Sequence, residues 1–373
     1  MGNQAVTLSG PDLEKEGVAV SALGEGGILL GHAMSEAVVV TRSGGRFHAL
    51  GATCSHYGGP LAEGAVDGDG IRCPWHHACF DLRSGDPVGA PALAPLACFE
   101  VAQRGERLFV IGKKTPATPP PVGAGTAVVV LGGGAAGFAA AEMLRRRGFA
   151  GSITMVSADP SAPYDRPNAS KDYLAGSAPE EWMPLRGDDW YASEKIDLRL
   201  GTVASAIDVA KKRVRTERGD VPYDVLILAT GAEPIRLPVE GASRPHVHVL
   251  RSLADSRALI ERAASARKAV VVGASFIGLE AAAALRTRGL DVHVVAPEPR
   301  PLARVLGDAI GGVVQKVHES KGVVFHLGRK PASIDDHAVT LDDGSRIEAD
   351  VVVMGVGVRP NLSLAEAAGL AVD

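Results

Sequence analysis

Apolar and polar positions follow two different rhythms along this chain. Up to about residue 112, short stretches such as "AVVVTR" and "RLFVIG" alternate or run briefly apolar, with glycine and proline between them. A period of two over a few residues marks half-buried strands, and the frequent breakers mark turns, so residues 1–112 are expected to form a small all-β domain. From Thr126 the rhythm changes. A continuous apolar run, a glycine-rich turn, an alanine-rich helical stretch and a second apolar run follow one another, which is the βαβ pattern of a doubly wound parallel sheet. Between the two, "KKTPATPPPVGAG", residues 113–125, carries prolines that favour extended backbone and withhold amide donors, and reads as a semi-rigid linker. The fold class expected is therefore multi-domain, a small all-β domain followed by α/β doubly wound domains.

The α/β pattern occurs twice. "AVVVLGGGAAGFAAAEMLRRRG" from Ala127 and "AVVVGASFIGLEAAAALRTRG" from Ala269 are near copies. Two such units imply two nucleotides, or one site and a decayed duplicate. In the first, Gly132, Gly134 and Gly137 fit G-x-G-x-x-G: the first permits a tight turn, the second lets backbone approach a pyrophosphate, and the third lets helix and strand pack closely. The pyrophosphate is expected at the helix N-terminus. In the second, Gly273 and Gly278 hold the outer positions and Ser275 the middle one. The acid expected to bind ribose at the end of the next strand is displaced in both units. Asp159 follows Ala158, and Glu298 lies two residues after Ala296; either acid could reach a ribose from its shifted place or be an ordinary loop charge. Because an arginine favours a 2′-phosphate, nearby Arg300 and Arg304 leave NADH against NADPH open.

The all-β segment carries separate chemistry. Cys54 and His56 stand two apart, sixteen residues separate His56 from Cys73, and Cys73 and His76 stand three apart. Two thiolates for one iron and two imidazoles for the other are the ligands of a Rieske 2Fe-2S centre. Zinc is the chemical rival, but zinc fingers pair like with like, whereas here each loop offers one cysteine and one histidine. Tyr57, Trp75 and Phe80 are expected to shield the cluster, His77 to be an exposed bystander, and Cys79 and Cys98 to be buried small apolar residues.

Bulk properties narrow the rest. A net charge of −4, with arginines scattered apart from Arg145, Arg146 and Arg147, argues against a nucleic-acid partner. That run sits before Gly148, where cations favour a helix C-terminus. There is no apolar run of membrane-spanning length and no signal-peptide layout, and four cysteines are too few for a disulfide scaffold, so a cytoplasmic protein is expected. "MGNQAV" places Val6 where a myristoylation signal wants serine or threonine.

With these residues in view, the chain resembles the apoptosis-inducing-factor-like proteins, an N-terminal Rieske domain fused to a pyridine-nucleotide-disulfide-type flavoprotein reductase. The motifs are "CSHYGGPL", "RCPWH", "LGGGAAG", "PYDRPNASKDYL", "LILATGAEP", "VVVGASFIGLE" and "VVMGVGVRPN". The reductase half is also similar to the ferredoxin reductases of oxygenase systems. The resemblance implies FAD in the first unit and NADH or NADPH in the second. It implies an FAD-binding part over 126–250, an NAD(P)H-binding domain over 251–350 and a return to the FAD domain over 351–373, incomplete because relatives carry a further Gly-Asp segment and closing domain. It places Arg166, Pro167 and Lys171 along the flavin, Glu280 facing Lys171, and Thr230 and Gly231 in a cofactor-facing turn. Departures from the family are Asn168 and Ala169 in the "RPNASK" segment, Ala158 in place of the ribose acid, and His77 in place of a glycine. Gly59 and Trp75 occupy the places of the disulfide cysteines of high-potential relatives, which implies the lower part of the roughly −150 to +300 mV Rieske range.

The activity this implies is an NAD(P)H-dependent oxidoreductase, electrons passing through FAD to the cluster and on to an acceptor protein or small molecule. A rival is the reverse direction of flow; another is a redox-sensing protein that binds nucleotide without turnover.

Overall fold

A computed structural model describes residues 8–115 and 119–372. The myristoylation site considered above and the centre of the proline-rich linker lie outside them. The chain divides into two compact units, residues 1–119 and 120–373.

The first unit is all-β. A six-stranded antiparallel sheet runs in the order Val18–Ala19, Arg107–Lys113, Cys98–Arg104, Arg46–Gly51, Glu36–Ser43, Ile28–Ala33. A smaller four-stranded antiparallel sheet joins Ala65–Asp67, Gly70–Arg72, Cys79–Asp81 and Pro87–Gly89. The last long strand extends through Lys113, one residue into the expected linker, because Lys113 still pairs with Phe99. Leu61, Ile71, Phe80 and Leu82, all essentially inaccessible, form the core beneath the loops that follow Gly51 and Arg72.

The second unit contains both doubly wound parts. The first parallel sheet is ordered Ile196–Arg199, Ser152–Val156, Ala127–Leu131, Val225–Leu228. The second is ordered Val247–Val249, Val351–Met354, Lys268–Val272, Asp291–Ala296, Val323–Leu327. Its central strands are mainly apolar, as expected where helices cover one face and a three-stranded meander, Pro331–Glu348, the other. Two boundaries differ from expectation: Val247–Val249 and Val351–Met354 pair within the second sheet, so that part starts before 251 and runs past 350. The crossing back occurs at Val358–Pro360, which pairs with Ala232–Pro234, and Leu364 of the last short helix and Ala368 just after it then pack against the core cluster that contains Val129, Leu131 and Ile207. The linker's end is also part of this unit, since Val122 donates to the Gly148 carbonyl and accepts from Ala150.

The arginine run closes the helix Ala135–Arg146 as expected, with Gly148 left-handed beyond it. Arg145 does more than complement a dipole. Its guanidinium donates to the carbonyls of Phe149, Gly151, Glu194 and Lys195 at 2.6–2.9 Å, tying the helix end to the neighbouring strand edge. Among the described residues no helix is long and apolar enough to cross a membrane.

Candidate functional site

In the first unit the four candidate ligands sit on two loops with one construction. Cys54 N–H donates to the Gly59 carbonyl and accepts on its own carbonyl from Gly58 N–H; Cys73 N–H donates to the Ala78 carbonyl and accepts from His77 N–H. The loops therefore superpose in bonding, with His77 in the place of Gly58. Both positions are left-handed, Gly58 at φ +77° and His77 at φ +60°, so the histidine holds a conformation natural to glycine. His77 is exposed, as expected.

Both cysteines are buried and within hydrogen-bond reach of one another. Burial pushes the Cys54 thiol up to about 11, the proximity of Cys73 adds to this, and the amides of His56 and Tyr57 oppose it by donating to the sulfur. Such thiols lose their protons when a metal cation compensates the charge. The imidazoles of His56 and His76 face each other on the outer side, centroids 5.0 Å apart and nearly perpendicular. Among the described residues no three of His, Cys, Asp or Glu converge on a point that could hold one ion. The donors instead form a sulfur pair and a nitrogen pair, the division a two-iron cluster requires and a closed zinc site does not. At Gly59 an added Cβ would come within 2.6 Å of the Cys73 sulfur, so a side chain there would occupy the space beside it.

Of the residues expected to shield the cluster, Phe80 is buried, Tyr57 is 36% exposed with its ring 6.1 Å from that of His76, and Trp75 is 54% exposed with its ring 6.5 Å from that of His76. Cys79 and Cys98 are buried and free, their sulfurs close to Gly70 and Gly85.

In the second unit the two glycine turns repeat one another to the level of single hydrogen bonds. Gly132 N–H donates to Val156 O and Gly273 N–H to Val295 O, both at 2.8 Å. An added Cβ would lie 2.0 Å from Ala229 O at Gly132 and 2.4 Å from Gly355 O at Gly273. At Gly137 and Gly278 it would meet the carbonyl of the first glycine of its own turn at 2.0 and 2.1 Å. These four glycines are needed by the protein itself. Gly134 differs: nothing lies nearer to its added Cβ than Arg166 Nη2 at 4.0 Å, so the space there is open to a ligand. Ser275 occupies the same place in the second turn and is exposed at the start of the helix Phe276–Thr287.

A cleft of about 460 Å³ opens at the first turn, lined by Gly132, Gly133, Gly134, Asp159, Arg166 and Thr230, and by Asn361 and Ser363 from the end of the chain. Asp159 lies at its rim with its carboxylate engaged: Oδ2 accepts from the Tyr164 hydroxyl at 3.0 Å, Oδ1 from Ser161 N–H, and Arg166 Nη2 is 4.0 Å away. Burial pushes the Tyr164 phenol up to about 12, keeping it a neutral donor. Thr230 and Gly231 are fixed by Asn361, whose N–H donates to Gly231 O and whose side-chain amide donates to Thr230 O while its carbonyl accepts from Thr230 Oγ1.

A second cleft of about 270 Å³ is lined by Arg166, Pro167, Lys171, Arg251, Glu280 and Val358, among others. Here the expected pair forms. Lys171 Nζ is 3.1 Å from Glu280 Oε1, and Glu280 Oε2 accepts from Ser170 Oγ at 2.6 Å. Asn168, one of the family departures, is buried and its side-chain oxygen caps Tyr173 N–H, which fixes the turn that presents Lys171. Glu298, far along the chain, pairs with Arg304 at 3.2 Å. Arg251 and Asn361 were not singled out as site residues; the "RPN" quoted above was the available signal for Asn361.

Residues 126–373 match the family described as pyridine nucleotide-disulphide oxidoreductase. The chain belongs to that family. Residues 17–100 match the Rieske [2Fe-2S] domain, so the chain carries a Rieske domain ahead of the part that matches the oxidoreductase family. It is 32% identical to human apoptosis-inducing factor 3 over 90% of this chain and 58% of that protein. It is 43% identical to rhodocoxin reductase of Rhodococcus erythropolis over 63% of this chain and 56% of that protein. The reductase of the covalent putidaredoxin reductase–putidaredoxin complex superposes with a TM-score of 0.65 at 35% identity, covering 67% of this chain and 63% of that one. The chain thus spans less than two thirds of the length of these relatives.

Proposed function

We propose that this family member is an NAD(P)H-dependent flavoprotein oxidoreductase that holds FAD at the first glycine turn, NADH or NADPH at the second and a 2Fe-2S cluster between Cys54, His56, Cys73 and His76. When bound, these groups supply the chemistry: FAD accepts two electrons as a hydride and gives them up singly, and the cluster carries one at a time. The observation that carries the reading is the Lys171–Glu280 pair at the rim of the second cleft, built from two segments 109 positions apart and next to both turns.

The chain's own residues do the rest. Gly134 leaves backbone open at a helix N-terminus, where a pyrophosphate is favoured by amides and dipole. Ser170 holds one Glu280 oxygen so that the other faces Lys171, fixing a positive charge at the cleft wall; Arg166 and Arg251 add two more. Such a cluster favours negative charge on whatever binds there. No proton-transfer residue is part of the reading. The acceptor is a redox protein of the kind for which the similar reductases are named, and the site of action is the cytoplasm.

Cys73→Ser tests the division of labour. In soluble, FAD-loaded protein with an unchanged far-UV spectrum, NADH should still bleach the flavin absorbance while reduction of a cluster-dependent acceptor disappears. Loss of both activities contradicts separate sites.

A further inference from the structure

We propose that this chain pairs with a second copy of itself about a two-fold axis, the helix Ala303–Ser320 lying antiparallel to its mate through Ile310, Val313 and Val317. The second parallel sheet ends at the strand Val323–Leu327, and among the described residues no further strand pairs with its outer side. Its sequence, "VVFHL", holds none of the charges or prolines that commonly guard an exposed edge. The helix lies over this strand, the ring of His318 being 6.2 Å from that of Phe325. It is held close at Gly311, its one buried residue, where an added Cβ would come within 2.4 Å of Pro301 O. Gly307, at φ +76°, breaks the helix, so the regular part begins at Asp308.

At 3.6 residues per turn, Ile310, Val313 and Val317 fall within about 60° of one another and roughly 120° from Gly311, so they form a stripe turned away from the strand beneath. Asp308 and Glu319 fall on the opposite side of the helix, and no charge interrupts the stripe. With Val305, Leu306 and Val324 these residues make six aliphatic side chains, each 41–62% exposed. At about 60–120 Å² for a fully exposed side chain of this kind, the six present roughly 300 Å² of apolar surface. A stable dimer buries about 800 Å² per partner, about 65% of it apolar, so they supply more than half of the apolar share. The spacing selects the occupant. Val313 stands at the middle of the regular helix, with Ile310 three residues before it and Val317 four after, so the stripe matches itself when reversed. Val313 then meets its own counterpart and each Ile310 meets a Val317. The same reversal lays the two edge strands side by side, antiparallel, where their open backbone groups can pair. A partner of another kind would need no such symmetry.

Sedimentation velocity of the whole chain over a concentration series tests it. The wild-type chain should move from 38.5 kDa to twice that mass, with a dissociation constant on the order of 10 μM. Val313→Glu places two like charges on the axis and should weaken the dimer by at least about thirtyfold, and Val313→Lys should do the same. Val313 is 62% exposed, so both variants should keep the wild-type melting temperature. An equimolar mixture of the two sets opposite charges face to face and should regain the dimer, a result particular to a residue that meets its own counterpart. If the Val313 variants melt early, Val324→Lys, on the edge strand instead, should weaken the dimer by about tenfold. The inference is overturned if the wild-type chain stays monomeric at about 200 μM, as it would if another partner or a further segment covers the stripe. It is equally overturned if the folded variants dimerise as tightly as wild type, or if the mixture stays monomeric.

Discussion

Substituting Gly132 and Gly134 by alanine should separate what the fold requires from what the ligand requires. Gly132 has φ +123°, and an added Cβ would sit 2.0 Å from Ala229 O and 2.6 Å from its carbonyl carbon, both backbone atoms at a strand end. The strained dihedral costs about 1–3 kcal/mol and the overlap about as much again. Against a typical domain stability of about 5–15 kcal/mol, Gly132→Ala should lower the melting temperature of the dinucleotide-binding part by on the order of 10 °C. Gly134 has φ −83°, which alanine adopts freely, and its nearest neighbour would be 4.0 Å away. The apoprotein of Gly134→Ala should melt at the wild-type temperature or slightly above it, since alanine restricts the unfolded chain by about 0.4–1 kcal/mol. The methyl group would instead meet the pyrophosphate, and FAD should bind at least about tenfold more weakly, a loss of roughly 1.4 kcal/mol. Scanning fluorimetry of apoprotein, with the FAD-to-protein ratio after gel filtration, gives both numbers. A Gly134→Ala protein that melts like Gly132→Ala, or one that retains a full complement of FAD, refutes the assignment of Gly134 to the ligand.

Three further outcomes are expected. His77→Gly relieves a left-handed non-glycine residue in the second ligand loop and should stabilise the Rieske unit by up to about 1 kcal/mol, read as a higher temperature for loss of the cluster's visible circular dichroism; a lower temperature contradicts the equivalence of His77 and Gly58. Glu280→Gln keeps an acceptor for Ser170 but removes the charge facing Lys171, so flavin reduction by NADH in stopped flow should slow by about tenfold at unchanged FAD content, and an unchanged rate makes the pair structural only. His48, His246, His248, His318 and His326 all have pKa values lowered first by burial. Their unfolded forms take up protons near pH 6.5 while the folded forms do not, so stability should be full above that value and fall as pH drops below it; a denaturation midpoint flat from pH 7.5 to 5.5 contradicts this.

The parts legible in the sequence are those written locally. A strand, a glycine turn and a helix are contiguous, so both dinucleotide turns lie where the pattern put them, and Gly132 and Gly273 differ from it in nothing but the identity of the carbonyl they face. The ligand loops were legible for the same reason. What escaped depends on partners distant in the chain. Val351–Met354 joins the second sheet because it fits between Val247–Val249 and Lys268–Val272, a placement no local period encodes. Nor does sequence alone reveal that His77 and Gly58 are counterparts, since the two loops share backbone bonds and almost no residues. For Asp159 and Glu298 the structure adds what sequence could not show, the partners Tyr164 and Arg304 that hold each carboxylate.

The proposed function requires that electrons from a nicotinamide dinucleotide reach a Rieske cluster within one chain. Low-temperature EPR on anaerobic, FAD-supplemented protein tests it most directly, with one sample reduced by excess NADH and one by dithionite. A rhombic Rieske signal of equal size is expected in both. A signal with dithionite alone, from protein that retains its FAD, would show an assembled cluster that NADH cannot reach and would refute the proposed electron path.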